Sequence, residues 1–219
     1  FGRQMSMGIQ VQAANTILGS QNLVAVLGIV TAVGSMISMA LCPLLIKKLN
    51  ERNAYILLSV YGFAASIFSF IIGHFWFENP KNMVLTVLFY ASLFLIGLQF
   101  GAVTLMPMIM TADCVDAYEY ETGKRMEGAA YSILTLTIKV CLALGTAVGL
   151  IFVQKSGYYE SLNSGDFSSN TKNIIFFAYT ALPGILALLS IIPMFKYDIF
   201  GEKKAKISAA LAERRNITE

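Results

Sequence analysis

The chain has 219 residues, 56% of them apolar and only 13% charged, with a mean hydropathy of +0.65 and a formal net charge of +3. A soluble domain carries about a quarter charged residues, so this composition excludes a water-soluble globule of this size. It shows no nucleic-acid module, and the three cysteines lie in or beside apolar segments, which argues against a disulfide framework.

Residues 1–21 lack the apolar core of a signal peptide and are expected to be an outside segment or the end of a truncated helix. A chain that opens on Phe1 rather than Met suggests a piece of a longer one. Five mostly apolar windows follow, at about 22–46, 55–77, 83–110, 129–153 and 174–195. Each is long enough at about 1.5 Å per residue to cross a hydrocarbon core of about 30 Å. The fold class expected is an all-α membrane protein with five complete transmembrane helices within residues 22–199, then a basic tail over 200–219. The third window contains Gly97, Gly101 and Pro107, which favour a tilt or kink. Trp76, between Phe75 and Phe77, suits an aromatic belt at the membrane interface. His74 beside it has no metal-ligand spacing around it.

The basic residues in the polar gaps are distributed unevenly. Lys47, Lys48, Arg52, Lys124, Arg125, Lys196, Lys203, Lys204, Lys206, Arg214 and Arg215 fall on one side, against Arg3, Lys81, Lys155 and Lys172 on the other. The positive-inside rule then puts the C-terminus in the cytoplasm of a multi-pass protein of the cytoplasmic membrane, with its tail near lipid headgroups. As a solvated tail it would serve mainly solubility and orientation.

Two polar features interrupt the apolar pattern. Lys139 lies about ten residues into its window, near the bilayer midplane, where a lysine costs about 2.5–3.5 kcal/mol. Tyr131, Ser132, Thr135 and Thr146 share its helix face, while Gly145 and Gly149 form a small-xxx-small pair suited to close helix packing. Lys139 therefore has two readings, a helix-packing ion pair or a part of a substrate or ion path, yet none of the five windows contains an acid to pair with it. Gln99 is polar within the third window and suits an interhelical hydrogen bond. The second feature is the acidic island that follows Pro107. Asp113, Asp116 and Tyr120 project from one side of a continuing helix, Glu119 and Glu121 flank them, and Gly123 is a natural stop. Arg125 and Glu127 follow at once, so the island is either a solvated loop or a set of interhelical ion pairs.

The stretch "ADCVDAYEYETGKRMEGAAYSILTLTIKV", Ala112 to Val140, resembles the glycoside–pentoside–hexuronide:cation symporters. The likeness rests on Asp113, Val115, Asp116, Glu119, Tyr120, Thr122, Gly123, Arg125, Glu127, Gly128, Tyr131, Ser132, Thr135 and Lys139, with Ala117 where the family has Tyr. It extends from about residue 22 to 200, through "PLLIKKLNERN" and Gly157–Tyr158. The resemblance implies the C-terminal six-helix half of a major facilitator transporter, entered near the end of its first helix. It places Lys139 by the coupling cation and Thr135 near the sugar, with Tyr131, Thr104 and Gln99 as further substrate-site candidates. Thr104 stands where the family can have an aromatic, against a galactoside preference. Asp113, Asp116, Glu119, Tyr120, Arg125 and Glu127 map to a cytoplasmic gate.

The function expected is symport of a sugar, glycoside or hexuronide with Na⁺ or H⁺, with no cofactor beyond that cation, in partnership with lipid and a missing N-terminal half. Its rivals are a non-transporting half-protein or scaffold and, more remotely, a membrane prenyltransferase. The latter needs two aspartate-rich motifs, and the chain has one.

Overall fold

The computed structural model describes residues 1–20, 22, 24–79, 81–162 and 166–218, the side chains of 215–218 excepted. All regular structure among them is helical: α1 (Gly2–Gly8), α2 (Gln10–Leu18), α3 (Val24–Glu78), α4 (Met83–Thr122), α5 (Glu127–Lys155), α6 (Tyr158–Ser161), α7 (Ser169–Phe176), a π-helical turn (Phe177–Ala181), α8 (Leu182–Leu189), α9 (Ile191–Met194) and α10 (Gly201–Thr218). Where the sequence suggests five spans, four helices among the described residues are long and apolar enough to cross a membrane: α3, α4, α5 and the continuous run Ser169–Met194. The difference arises because the windows at 22–46 and 55–77 are joined in the 55 residues of α3.

α3 is not straight. Asn50 has φ 64° and ψ 163°, outside the left-handed well that asparagine tolerates and in a region used almost only by glycine, so the break is strained. Gly34, before this break, packs on the backbone of Phe94 and Leu98, and Gly62, beyond it, packs under Gln99. A continuous helix would hold these glycines about 42 Å apart. They reach the same level of α4 because the chain doubles back at Asn50. The first arm runs parallel to α4, with Thr31 at Gly97 and Ser35 at Gly101. The second runs antiparallel to it, with the Tyr61 hydroxyl donating to the Leu95 carbonyl and Ser92 hydrogen-bonded to Ser69.

Glycines set these contacts. A Cβ at Gly97 would lie 2.4 Å from the Thr31 carbonyl oxygen, and one at Gly101 would lie 2.1 Å from that of Ser35. α4 itself runs through Pro107 as one helix to Thr122, where Gly123 at φ 72° ends it. On α5, Gly145 and Gly149 admit α1, with Met5 and Ile9 seated over them. Residues 2–8 and 10–18 are thus helical, joined at Ile9, and Met5, Ile9, Ala13 and Ala14 are fully buried.

Pro183 lacks the amide that would bond the Tyr179 carbonyl in an α-helix. The π turn falls at that point, and the Ser6 hydroxyl donates to the Tyr179 carbonyl at 2.7 Å. One polar contact thereby ties α1 to the last span. Trp76 does not sit in a lipid-facing belt. It is buried, stacked on Phe89 at 4.6 Å between ring centres, and its indole N–H donates to Thr86. Phe75, its neighbour, is the exposed one.

Because Gly97 faces backbone, which cannot swing aside, Gly97→Val is expected to destabilise the protein by at least about 1–3 kcal/mol, as over-packing does. Gly128→Ala, where nothing lies within 4 Å, is expected to stay within about 0.5 kcal/mol. Thermal unfolding in detergent, followed by size-exclusion chromatography, reads both; equal behaviour would contradict the glycine contact.

Candidate functional site

Helical spacing puts Gly128, Tyr131, Ser132, Thr135, Leu136 and Lys139 along one side of α5, where they line an open groove. The Tyr131 hydroxyl donates across to the Met108 carbonyl of α4 at 3.4 Å. The hydroxyls of Ser132 and Thr135 donate to the carbonyls of Gly128 and Tyr131, one turn back, at 2.7 and 2.8 Å. Their oxygens keep acceptor capacity toward the groove. Lys139 is exposed at its head and has no salt-bridge partner among the described residues. Donors at one end and acceptors along the wall suit a hydroxylated ligand.

Gln99 and Thr104 do not line this groove. Gln99 is only 3% exposed, wedged where the second arm of α3 meets α4. The Thr104 hydroxyl donates to its own helix, at the Phe100 carbonyl.

The six residues assigned to the gate fall into separate groups. Gly123 ends α4, and the following turn brings Arg125 back onto three carboxylates: Glu119 at 2.8 Å, Glu127 at 3.0 Å and Asp116 at 3.4 Å. Hydrogen bonds to Glu119 and Glu127 hold the guanidinium more firmly protonated than usual. These contacts are exposed, and exposed ion pairs are weak and readily exchanged. Tyr120 instead meets α10: its carbonyl accepts from Arg214, whose guanidinium lies 5.5 Å from the Tyr120 ring centre.

Asp113 belongs to a more buried cluster. Lys204 Nζ lies 2.7 Å from Asp113 Oδ1 and 2.6 Å from Glu51 Oε1, and the Tyr197 hydroxyl donates to Asp113 Oδ2 at 3.1 Å. Asp113 and Glu51 are 7% and 5% exposed, so the shared ammonium offsets a repulsion that water cannot screen. Desolvation pulls the Lys204 pKa down, but its hydrogen bonds to Asp113 and Glu51 outweigh this, and it stands above its ordinary value. Burial, and then the Asp113 charge, push the Tyr197 phenol up as well.

The C-terminal segment is therefore a docked helix rather than a free tail. Ile207 and Leu211 are buried against Ala117 and Tyr120, and Arg52 lies over the rings of Phe195 and Phe200 at 5.7 and 5.6 Å. Glu51, Arg52, Tyr197 and Lys204 were not singled out from sequence. The signal for docking was there, in the i, i+4 apolar pair Ile207 and Leu211 within a charged run.

Long apolar helices, a polar groove on one of them and charges gathered at one end define a multi-pass membrane protein of the transporter class. Residues 5–200 match the family model described as MFS/sugar transport protein, and the chain belongs to that family, whose members are transporters rather than enzymes. It is 25% identical over 97% of its length to the putative sulfoquinovose importer of Escherichia coli (strain K12), of which it covers 43%. It is 28% identical over 56% of its length to the inner membrane symporter YicJ of the same organism, covering 29% of it. The glucuronide carrier protein homolog, also from that strain, is 23% identical over 85% of this chain, which covers 38% of the relative. The chain thus spans less than half the length of these three relatives. No solved structure matches it.

Lys204→Gln leaves two buried carboxylates without their cation. Loss of one partner of a fully buried pair costs about 3–5 kcal/mol. Because Lys204 is 37% exposed, about 1–2 kcal/mol is expected here, roughly a five- to thirtyfold fall in the ratio of docked to undocked α10. The mobile fraction of a spin label at Ala212 measures it. The sign of the pH dependence follows from the raised pKa: the lysine's contribution is full below its ordinary value of 10.5 and is lost as pH rises through the higher folded value. Label mobility is therefore expected to be constant between about pH 7 and 10 and to climb only above that range.

Proposed function

We propose that the chain is the C-terminal half of a cation-coupled symporter that carries a sugar, glycoside or hexuronide across the cytoplasmic membrane. Membership of a sugar-transport family supports this, as do relatives named as an importer, a symporter and a carrier. Each arm of α3 crosses once and the chain reverses at Asn50, so the chain makes five full crossings with its C-terminus in the cytoplasm. The Asn50 break, the Gly123 turn and α10 lie at one end, linked through Lys204, Glu51 and Asp113. That end carries Lys47, Lys48, Arg52, Lys124 and Arg125, as the positive-inside rule requires.

One observation carries the reading. α5 exposes Thr135 and Lys139, with Tyr131 beside them, on a helix whose other exposed side chains are large and apolar, among them Ile133, Leu136 and Leu144. Against lipid, an unpaired lysine there is costly. Against the missing N-terminal half it faces a wet central cavity, where a carboxylate of that half and a coupling cation, Na⁺ or H⁺, meet it. The groove hydroxyls then hold the sugar, and rocking of the two halves opens this site to each side in turn. The Arg125 pairs break as the cytoplasmic side opens and re-form as it closes. Cation and sugar each raise the affinity of the other, since coupling is reciprocal.

The test is uptake of labelled glycosides, pentosides and uronides into vesicles bearing the complete upstream-extended chain, with and without an inward Na⁺ or H⁺ gradient. Gradient-driven uptake is expected, and Lys139→Met is expected to lower it by about tenfold or more at equal protein density, as loss of an intramembrane charge at the site should. No uptake of any of these sugars under either gradient would leave a non-transporting half-protein.

A further inference from the structure

A second polar site, open on one side at Met7 and Ala32, lies near mid-height of the bundle apart from the α5 groove, lined in part by Arg3, Ser6 and Gln10 of the first two helices, Thr31 and Ser35 of α3, and Phe100 of α4. It is a cavity of about 190 Å³. Its height follows from its neighbours. Met5, half a turn from Arg3, packs on Gly145 just past the middle of α5, and Phe100 is close to the middle of α4. A guanidinium at that level must meet a counter-charge or a water-filled space.

Arg3 is held but not neutralised. Its Nη1 donates to the Phe100 carbonyl at 3.1 Å, and its ζ carbon sits 5.6 Å from the centre of the Phe100 ring. No carboxylate among the described residues forms a salt bridge with it. A guanidinium has five N–H donors in a planar fork shaped for an oxyanion. The surrounding hydroxyls are oriented the other way. Ser6 donates to the Tyr179 carbonyl at 2.7 Å, Thr31 to that of Leu27 at 2.9 Å, and Ser35 to that of Ala32 at 2.8 Å. With those protons committed to the backbone, the hydroxyls offer acceptor lone pairs to the cavity.

We infer that this cavity binds a negatively charged sugar, with Arg3 taking its carboxylate or equivalent oxyanion and the Ser6, Thr31 and Ser35 oxygens accepting from its hydroxyls. The inference rests on the transporter reading and adds to it a charge-selective site for an acidic sugar, separate from the α5 groove. A neutral sugar would satisfy the acceptors and leave the cation unpaired. An acidic one satisfies both.

The test uses the purified full-length chain and needs no gradient. Equilibrium binding is measured for the methyl glycosides of glucuronic and galacturonic acid, their uncharged methyl esters, and methyl glucoside. At least one acid is expected to bind about tenfold or more tightly than its own ester, as a charge-assisted bidentate pair should. Arg3→Gln is expected to remove that preference while changing glucoside affinity by less than about threefold, and Arg3→Lys to retain part of it. An acid bound no better than its ester, an equal loss for acid and neutral ligands in Arg3→Gln, or no binding of either acid would each overturn the inference. The ester comparison keeps it falsifiable if Arg3→Gln fails to fold. Gradient-driven uptake of neutral glycosides alone would refute this site and leave symport standing. Arg3-dependent binding of an acid with no uptake under any gradient would do the reverse.

Discussion

Backbone must approach backbone for this chain to pack at all. Within a bilayer the lipid tails are as apolar as the side chains, so helices gain nothing from merely hiding hydrophobic surface from one another. What holds them is dispersion at short range, and that requires positions without side chains. Gly97 and Gly101 on α4 meet the carbonyls of Thr31 and Ser35, Gly145 and Gly149 on α5 admit Met5 and Ile9, and Gly184 accepts Ser66. These contacts fix α1, α3, α4, α5 and α8 against one another, and the placement of their polar side chains follows.

With the helices locked in this way, polar residues are sorted by where on each helix they fall. On α5 the glycines lie toward its C-terminal half, where α1 packs on them, while Tyr131, Thr135 and Lys139 lie nearer its start, on the stretch that α1 leaves open. On α1, Met5 packs on α5, while Arg3 reaches the Phe100 carbonyl of α4 and Ser6 the Tyr179 carbonyl of the last span. At the foot of the bundle the same logic separates two kinds of ion pair. Asp113, on the buried side of α4, shares Lys204 with Glu51, whereas Asp116, Glu119 and Glu127 meet Arg125 in the open. Buried pairs are costly to break one partner at a time, and exposed ones exchange easily. A static brace and a yielding contact thus sit side by side on one helix end.

Much of this was legible in the residues. Apolar windows gave the helices, Gly123 the end of α4, and the charge asymmetry a consistent end for the turns and α10. The ordered run from Asp113 to Lys139 gave the family. Other features were not legible, for reasons of physics. Residues 22–46 and 55–77 read as two apolar stretches because charge separates them, but that the chain passes from one to the other through a single non-helical residue, Asn50, was not legible. Trp76 has the composition of an interface residue, and only the stacking of Phe89 shows it to be core. Lys204 reads as one of several tail lysines until Glu51 and Asp113, brought from distant parts of the chain, close around it. Gln99 and Thr104, also named as substrate candidates, lie on α4 and not on α5 with Tyr131 and Thr135, and they meet α3 or their own backbone.

The parallel pairing of the first arm of α3 with α4 has a consequence for how the protein is made. Thr31 and Gly97 touch across a separation of 66 residues, and the second arm, which runs between them in the opposite direction, must already be inserted before they can meet. The ribosome delivers the first arm long before its closest partner exists. Until α4 emerges, that arm has Gly34 facing nothing that fits it, and its exposed carbonyl ridge must be shielded by the insertion machinery or by lipid. Assembly of the bundle is therefore ordered in time: hairpin first, α4 laid against both arms second, and the rest closed around them as the later helices arrive.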